Sequence, residues 1–376
     1  MPWTWQLPDW PRYRWDRTRL GFLEERFLHE SGRRVGAFVH LTEDQKLWLR
    51  VDWLTSEAME TSAIEGEILD RDSVRSSIRR HFGLTPDRHT SPPAESGVAE
   101  MMVDLYRGFD RPLSHDTLCG WHRVLMRDRL ELTLIGAYRR HPEAMQVVSG
   151  AVGRRRLHYE APPSDRMARE MDGFVDWYRR SATEGNRLSA LTRAGLAHLY
   201  FVHIHPFEDG NGRIARALAE KALAEALGEP SAIALSRMIG QRRRAYYDRL
   251  SDAGRSLEIT EWLVWFAETI LAAQTWSERR LIRSIEQAQL FDRLRGQLNE
   301  RQEKVLVRMF RAEPDGFKGG LSAGNYQRIA GAAPSSATRD LADLVKKGAL
   351  RRTGERRHTR YWLDLPSFEV SGSSAP

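Results

Sequence analysis

The sequence predicts a mainly α-helical protein that contains one β-hairpin and ends in a winged helix-turn-helix domain. Apolar residues recur at three- and four-residue spacing up to about Leu290, as on the buried face of a helix. Residues 136–163 break this pattern, because two short β-prone runs are separated there by serine and glycine, which is typical of a hairpin. Three short helical segments and a basic, β-prone run follow position 297, which is the plan of a winged helix-turn-helix domain.

These patterns divide the chain into five expected parts. The first combines an aromatic, proline-interrupted arm, expected to lie extended on a hydrophobic surface, with a helical region. The parts are residues 1–97 (arm and helices), 98–276 (helical core with the hairpin), 277–297 (linker helix), 298–366 (winged domain) and 367–376 (flexible tail).

Composition limits the cellular setting and leaves the partners open. No run approaches the ~18 consecutive apolar residues that a membrane span needs, so a soluble cytoplasmic protein without membrane contact is expected. Cys119 is the only cysteine, which excludes an internal disulfide. The net charge of +7 favours a phosphate-bearing partner, but the basic residues are widely spread, so a merely solvated surface is equally consistent.

The string HPFEDGNGRIAR at residues 205–216 carries the clearest chemical signal. A buried helix is expected to end near His205, a glycine-rich loop follows, and a strong helix-forming run restarts after it. Backbone N–H groups and the dipole of a new helix favour an anion at such a loop, and phosphate is the expected guest. His205 is the nearby group that exchanges a proton near neutral pH, which suits a base acting on a hydroxyl.

Polar side chains in the same string complete the predicted phosphate site. Asp209 offers a hard oxygen ligand for Mg²⁺, which phosphates usually carry, and Asn211 adds a side-chain donor. Arg213 and Arg216 are three residues apart on the first turn of the new helix, so both guanidinium groups are expected to reach one anion. His198, His203 and His158 are expected to be ordinary core or surface residues. A zinc site at His203 and His205 is disfavoured, because no third and fourth ligands have helical spacing.

HPFEDGNGRIAR matches every fixed position of HxFx(D/E)GNGRxxR, the signature of the Fic family, which this chain therefore resembles. The resemblance implies a helical core that transfers AMP from ATP, with Mg²⁺ or Mn²⁺, to a Tyr, Ser or Thr hydroxyl of a target protein. It implies that His205 is the base, that Asp209 holds the metal, and that Arg216 binds the γ-phosphate. It assigns the anion hole and a further phosphate contact to Gly210, Asn211, Gly212 and Arg213.

Three other segments resemble parts of the same family. TSAIEG at residues 61–66 is similar to its inhibitory (S/T)xxxE(G/N) motif, which implies that Glu65, near Thr61, Ser62 and Gly66, pairs with Arg216 and so displaces the γ-phosphate. The hairpin resembles a flap that aligns the target by strand addition, with Met145 and Val147 as clamping residues. Residues 236–250 resemble the segment that closes the adenine pocket, which suggests Tyr246 and Tyr247 as nucleotide contacts.

Alternatives remain open at this stage. The C-terminal domain could make the chain a DNA-binding regulator, with Arg339 facing a groove and the basic residues of 351–360 on phosphates. Glu65 could instead orient water to remove AMP from a modified target. Many winged helices pack in dimers, so a homodimer is also left open.

Overall fold

The structure is a computed structural model that describes residues 2–39, 41–84, 91–149, 156–311 and 319–365. The chain forms two compact units, Met1–Thr275 and Trp276–Pro376, which are described separately. Among the described residues, no helix combines the length and apolar character needed to cross a membrane. The predicted flexible tail 367–376 and the hairpin turn 150–155 lie outside the described residues.

The first unit is almost entirely helical, in agreement with the predicted fold class. The N-terminal arm contains a 3₁₀ turn at Thr4–Gln6 and a further turn at residues 8–11, so it is less extended than expected. The helices and strands are α1 (Thr18–Val39), α2 (Glu43–Ile64), α3 (Arg71–His81), α4 (Pro93–Arg107), α5 (His115–Leu125), β1 (Gln146–Ser149), β2 (Arg156–Glu160), α6 (Met167–Arg180), α7 (Ala190–Ile204), α8 (Asn211–Leu227), α9 (Leu235–Gln241), α10 (Arg243–Ala253) and the first part of α11 (Thr260–Arg293), which continues past Thr275.

Helix α7 forms the centre of this unit, because all of its 15 residues are buried. Its mostly apolar sequence explains why it can be covered on every side. His198 and His203 on this helix are fully buried and His158 on β2 is 6% exposed, so of the two expected positions, core or surface, all three histidines occupy the core. Helix α8 packs directly against α7, so the loop between them is held by two buried helices.

The N-terminal arm lies on the surface of α6, α7 and the hairpin. The indole of Trp5 donates to the carbonyl of Glu160 (2.7 Å), and that of Trp10 donates to Glu170 Oε2 (2.8 Å). Tyr13 forms a hydrogen bond with His203 Nδ1 (2.9 Å). These contacts bury aromatic rings while each polar tip keeps a partner, which is the usual arrangement for tryptophan and tyrosine.

The hairpin predicted from residues 136–163 is present. Strands β1 and β2 are antiparallel, with Val147 opposite Tyr159 and a register irregularity between Val147 and Val148. Met145 and Val147 pack against a small cluster of Trp3, Tyr159 and Ala161. The hairpin is therefore anchored to the arm at its base.

The second unit contains the predicted order of three helices followed by a hairpin. Its elements are α12 (Glu300–Arg311), α13 (Ala323–Ala330), α14 (Pro334–Lys346), β3 (Leu350–Thr353) and β4 (Arg360–Leu363), and Leu321 also bridges to Tyr361. Leu306, Leu341 and Leu344 lie in its core. The predicted linker helix 277–297 is the C-terminal part of the 34-residue α11, which ends at Arg293. Assignment to the winged-helix class stays a prediction.

Candidate active site

His205 is the residue that ends α7. Its backbone is left-handed (φ 51°, ψ 60°), and its N–H donates to the carbonyl of Phe201 (3.0 Å). Its Nδ1 lies 3.3 Å from the carbonyl oxygen of Val202. Because a carbonyl only accepts, we assign the hydrogen to Nδ1, which leaves the lone pair on Nε2. The ring is therefore in the tautomer of a base.

The surroundings of His205 favour the neutral imidazole. Burial lowers its pKa to about 4, and the nearby Arg139 cation acts in the same direction. The carbonyl of Val202 and the carboxylates of Glu65 and Asp209 oppose that shift without reversing it. At pH 7 the side chain is thus unprotonated and able to accept a proton.

The loop between α7 and α8 is closed by Asn211. Phe207 N–H donates to Asn211 Oδ1 (3.0 Å), and Asn211 Nδ2 donates to the Phe207 carbonyl (2.8 Å). Asn211 is 2% exposed, so the side-chain donor predicted for the anion is instead used to hold the loop. This corrects the side-chain role of Asn211. The backbone N–H groups of residues 211–213, at the start of α8, have no intrahelical acceptor and remain suited to an anion.

Two glycines allow groups to approach this helix end closely. Gly210 has φ 78°, and a Cβ there would lie 2.6 Å from Met126 Cε. A Cβ on Gly212 would lie 2.2 Å from Glu65 Oε1. Both positions therefore exclude a side chain, the first through its left-handed backbone and the second through the carboxylate placed against α8.

Glu65 forms an ion pair with Arg216, as the sequence predicts. Glu65 follows the last residue of α2, and its Oε1 lies 2.6 Å from Arg216 Nη2. Thr61 accepts two further hydrogen bonds from Arg216, at its hydroxyl (2.7 Å) and its carbonyl (2.9 Å). The Ser62 carbonyl accepts from the N–H groups that follow the helix, and Gly66 supplies the left-handed turn (φ 89°). The guanidinium is 1% exposed, so this cation is fully enclosed.

A second carboxylate was missed in the sequence. Glu67 Oε2 lies 2.5 Å from Arg213 Nη1, and Glu67 Oε1 lies 3.4 Å from Arg129 Nη1. Arg129 Nη2 is also 3.1 Å from Asp209 Oδ2. Glu67 follows Glu65 by two positions, so the sequence shows a second acid near the motif. Only the turn at Gly66 determines the direction in which its side chain points. Arg213 and Arg216 are therefore each paired with a different glutamate.

Buried nitrogen atoms of both motif arginines nevertheless lack an acceptor within the described part of the chain. These are Nη1 of Arg216 and Nε of Arg213. A buried guanidinium donor without an acceptor is unfavourable, and the oxygens of a phosphate would satisfy such donors. The site consequently fits a polyanion larger than the two carboxylates that now occupy it.

Asp209 is the residue that would hold a metal ion in this site. Its side chain is 35% exposed, and its Oδ1 accepts from the N–H of Gly210 (2.5 Å). Among the described residues, no group of three or more His, Cys, Asp or Glu side chains could hold a metal by itself. A single carboxylate still fits Mg²⁺, because this ion commonly binds through one or two carboxylates together with substrate phosphates and water.

The two tyrosines proposed for the adenine pocket differ in position. Tyr246 is 2% exposed, its hydroxyl forms a hydrogen bond with His198 Nε2 (3.1 Å), and its ring packs near Trp262. It is a core aromatic residue, which corrects its assignment as a nucleotide contact. Tyr247 is half-buried, lies beside Tyr246 (ring centroids 5.1 Å) and has Arg243 near its ring, so it stays a candidate.

Comparison with known proteins shows which proteins this chain is similar to. Residues 112–223 match the Fic/DOC family, and residues 3–84 match a domain of unknown function, DUF4172. The Drosophila grimshawi "Protein adenylyltransferase Fic" is 32% identical over 130 residues, which are 34% of this chain and 25% of that protein. The match thus spans about a quarter of the relative's length.

Two solved structures share the fold at 20% sequence identity. A Fic family protein from Desulfovibrio desulfuricans G20 has a TM-score of 0.52, and the alignment covers 94% of this chain and 97% of that one. Residues 134–508 of Fic-1 from C. elegans have a TM-score of 0.51, with 72% of this chain and 76% of that one covered. These likenesses extend the agreement from the motif to the helical architecture.

Proposed function

Residues 112–223 form a Fic/DOC-family domain, and on this premise we propose that the chain is an autoinhibited protein adenylyltransferase. It transfers AMP from ATP to a Tyr, Ser or Thr hydroxyl of a target protein. The observation that carries the proposal is the 2.6 Å ion pair between Glu65 and Arg216 at the N-terminus of α8. A carboxylate there occupies the anion site that a nucleotide phosphate requires.

The phosphates of ATP bind at the start of α8. The backbone N–H groups of residues 211–213 and the guanidinium groups of Arg213 and Arg216 supply the donors, and the unsatisfied nitrogens of both arginines support this assignment. Asp209 holds Mg²⁺ or Mn²⁺. When bound, the metal offsets the negative charge of the phosphate chain.

His205 is the base of the reaction. Its Nε2 takes the proton of the target hydroxyl while the hydroxyl oxygen forms a bond to the α-phosphorus. The bond from that phosphorus to the oxygen bridging to the β-phosphate breaks, and pyrophosphate leaves with the electron pair. The Nδ1 hydrogen bond to Val202 supports this role because it keeps the lone pair on Nε2.

Glu65 inhibits the reaction by competing for Arg216. The γ-phosphate and the Glu65 carboxylate are both anions that need the same buried guanidinium, and the missing side chain of Gly212 lets Glu65 lie directly against α8. With Arg216 withdrawn, the α-phosphorus is misplaced for in-line attack, and a displacement of about 1 Å can cost ~10²-fold in rate. The hairpin, with Met145 and Val147, presents the target chain by strand addition.

The test is transfer of label from α-³²P-ATP with Mg²⁺ to protein. We expect Glu65→Ala to label protein at least about tenfold faster than wild type, because each 1.4 kcal/mol of relieved competition is worth that factor. His205→Ala, alone and with Glu65→Ala, should give no label. Glu60→Ala is the matched control, since Glu60 lies on the same helix but pairs with Arg237.

Two results would contradict the proposal. Equal labelling by Glu65→Ala and Glu65→Ala/His205→Ala would show that His205 is not the base. Equal labelling by wild type and Glu65→Ala would show that Glu65 does not inhibit the reaction. Release of AMP from premodified protein by wild type, but not by Glu65→Ala, would instead show that Glu65 supports hydrolytic removal of AMP from the target.

A second candidate function concerns the second unit. Arg339 is exposed on α14 and Arg352 is exposed on β3, so both can face an external polyanion. These positions favour DNA binding by this unit as an activity separate from transfer. A gel shift with a nonspecific duplex, weakened by Arg339→Ala and by rising salt, would support it, and no shift at low salt would exclude it.

A further inference from the structure

Arg139 is a buried arginine in the segment between α5 and β1, outside the signature motif. It is 1% exposed, and its backbone N–H donates to the carbonyl of Pro206 (2.9 Å), the residue after His205. Burial lowers its pKa to about 10, so the guanidinium remains charged at neutral pH. A buried charge is costly unless several groups satisfy it, which raises the question of what it binds.

The side chain of Arg139 joins the end of α7 to the segment that leaves the hairpin. Its Nε donates to the carbonyl of His205 (2.8 Å), and its Nη2 donates to the carbonyl of Pro162 (2.5 Å) with a longer contact to Ile204 (3.4 Å). Its Nη1 donates to Ser164 Oγ (2.9 Å). These acceptors are all uncharged, so carbonyl dipoles and a hydroxyl hold the cation.

This arrangement meets two requirements of the residue that ends α7. The last carbonyls of a helix have no intrahelical donor, and a cation is favoured at the negative end of the helix dipole. A left-handed backbone at a residue other than glycine costs about 1–2 kcal/mol and persists only where the surroundings fix it. The Arg139 side chain binds the His205 carbonyl and its backbone N–H binds the Pro206 carbonyl, so the chain that leaves the strained residue is held at two successive carbonyls.

We propose that Arg139 is a positioning residue for His205, which it aims by tying the C-terminal end of α7 to Pro162 and Ser164 behind the hairpin. The proposal rests on the proposed function, in which His205 is the base. Arg139 touches neither α8 nor the arginines of the phosphate site in its recorded contacts, so its loss should impair the chemical step and spare nucleotide binding.

The test uses Arg139→Met and Arg139→Lys in the full chain with Glu65→Ala, so that transfer is measurable. Arg193→Met is the control, because Arg193 is a buried arginine near the other end of α7, bound to Ser181, to the carbonyl of Tyr178 and to the carboxylate of Glu225. Steady-state labelling gives kcat and KM for ATP, thermal unfolding gives stability, and NMR titration of the His205 ring, assigned with His205→Ala, gives its pKa.

For Arg139→Met we expect kcat to fall at least about tenfold with KM for ATP within about twofold of the parent, since small displacements of a reacting group are costly. The pKa of His205 should rise from its lowered value, because the Arg139 cation is gone. The other groups near the ring are Asp209, His203 and, where it is retained, Glu65, and they are unchanged. Arg139→Lys keeps the charge but not the planar set of donors, so it should keep the lowered pKa and lose kcat. Arg193→Met should lower only the melting temperature.

Two results would overturn the proposal. One is a folded Arg139→Met protein with the parent kcat and an unchanged His205 pKa. The other is a fall in kcat that Arg193→Met reproduces at equal loss of stability. If Arg139→Met does not fold, Arg139→Lys decides, because parental kcat there would exclude a positioning role. The NMR titration needs no activity and can be repeated with Glu65 retained. It therefore still tests the contact between Arg139 and His205 if the protein proves not to transfer AMP.

Discussion

Glu65 Oε1 lies 2.6 Å from Arg216 Nη2 and so close to Gly212 that a Cβ at that position would lie 2.2 Å from it. The carboxylate sits against the positive end of α8, so it is stabilised by both the guanidinium and the helix dipole. Two residues later, Glu67 pairs with Arg213. The segment after α2 therefore brings one carboxylate to each arginine of the motif.

Glu65→Gln should change the stability and the ATP response in opposite directions. Breaking a buried ion pair leaves Arg216 uncompensated, so the melting temperature without nucleotide should fall. ATP would then satisfy the free guanidinium, so the rise in melting temperature on adding ATP should exceed that of wild type. Differential scanning fluorimetry with and without ATP measures both, with Glu60→Gln as the control. Equal ATP shifts in all three proteins would show that Glu65 does not compete with the nucleotide.

Glu67→Gln should strengthen ATP binding by releasing Arg213. The effect should be smaller than for Glu65→Gln, because the Glu67 side chain is 29% exposed and solvent screens its charge. Isothermal titration gives the dissociation constants. Glu131→Gln is the matched control, because Glu131 pairs with Arg129 and is 60% exposed. An affinity gain for Glu131→Gln as large as for Glu67→Gln would contradict a specific role for the pair with Arg213.

Gly212→Ala should destabilise the protein by displacing the Glu65 carboxylate. The added Cβ would lie 2.2 Å from Glu65 Oε1, and overpacking usually costs about 1–3 kcal/mol. In a Glu65→Gly background most of that cost should disappear, which urea unfolding would reveal as a coupling free energy of about 1 kcal/mol or more. Gly120→Ala, where a Cβ meets open space in α5, should stabilise instead. An additive double mutant would refute the steric argument.

His203 should make the fold sensitive to acid. Burial lowers its pKa to about 3, with His205 contributing in the same direction, against about 6.5 in an unfolded chain. The unfolded state then binds one more proton between these values, so stability is fully present above pH 6.5 and falls as pH drops toward 3. The contribution is about 1.4 kcal/mol per pH unit. Denaturant unfolding from pH 7 to 4 gives the change in the free energy of unfolding per pH unit. In His203→Gln this slope should be smaller than in wild type by the contribution of one proton, and an equal slope in the two proteins would contradict the prediction.

How much the sequence predicted depends on whether a feature is local. His205, Asp209 and the glycines follow each other within one loop, so their grouping needs no tertiary information. Glu65 could be paired with Arg216 only through the family resemblance, because 151 positions separate the two residues in the sequence. Asn211 was assigned to the ligand from its type and Tyr246 from the resemblance of residues 236–250, but the side chain of Asn211 closes the loop on Phe207 and Tyr246 packs with His198 in the core.

The sequence by itself determined the helical fold class, the hairpin and the glycine-rich loop that contains the proposed base, because helix periodicity and turn chemistry are local properties. Only the tertiary structure decided which charges meet. The turn at Gly66 directs Glu67 to Arg213, and the packing of the hairpin exit against α7 places Arg139 on the His205 carbonyl. Such pairings depend on the distances between elements far apart in the chain, and these distances are set by how buried helices pack.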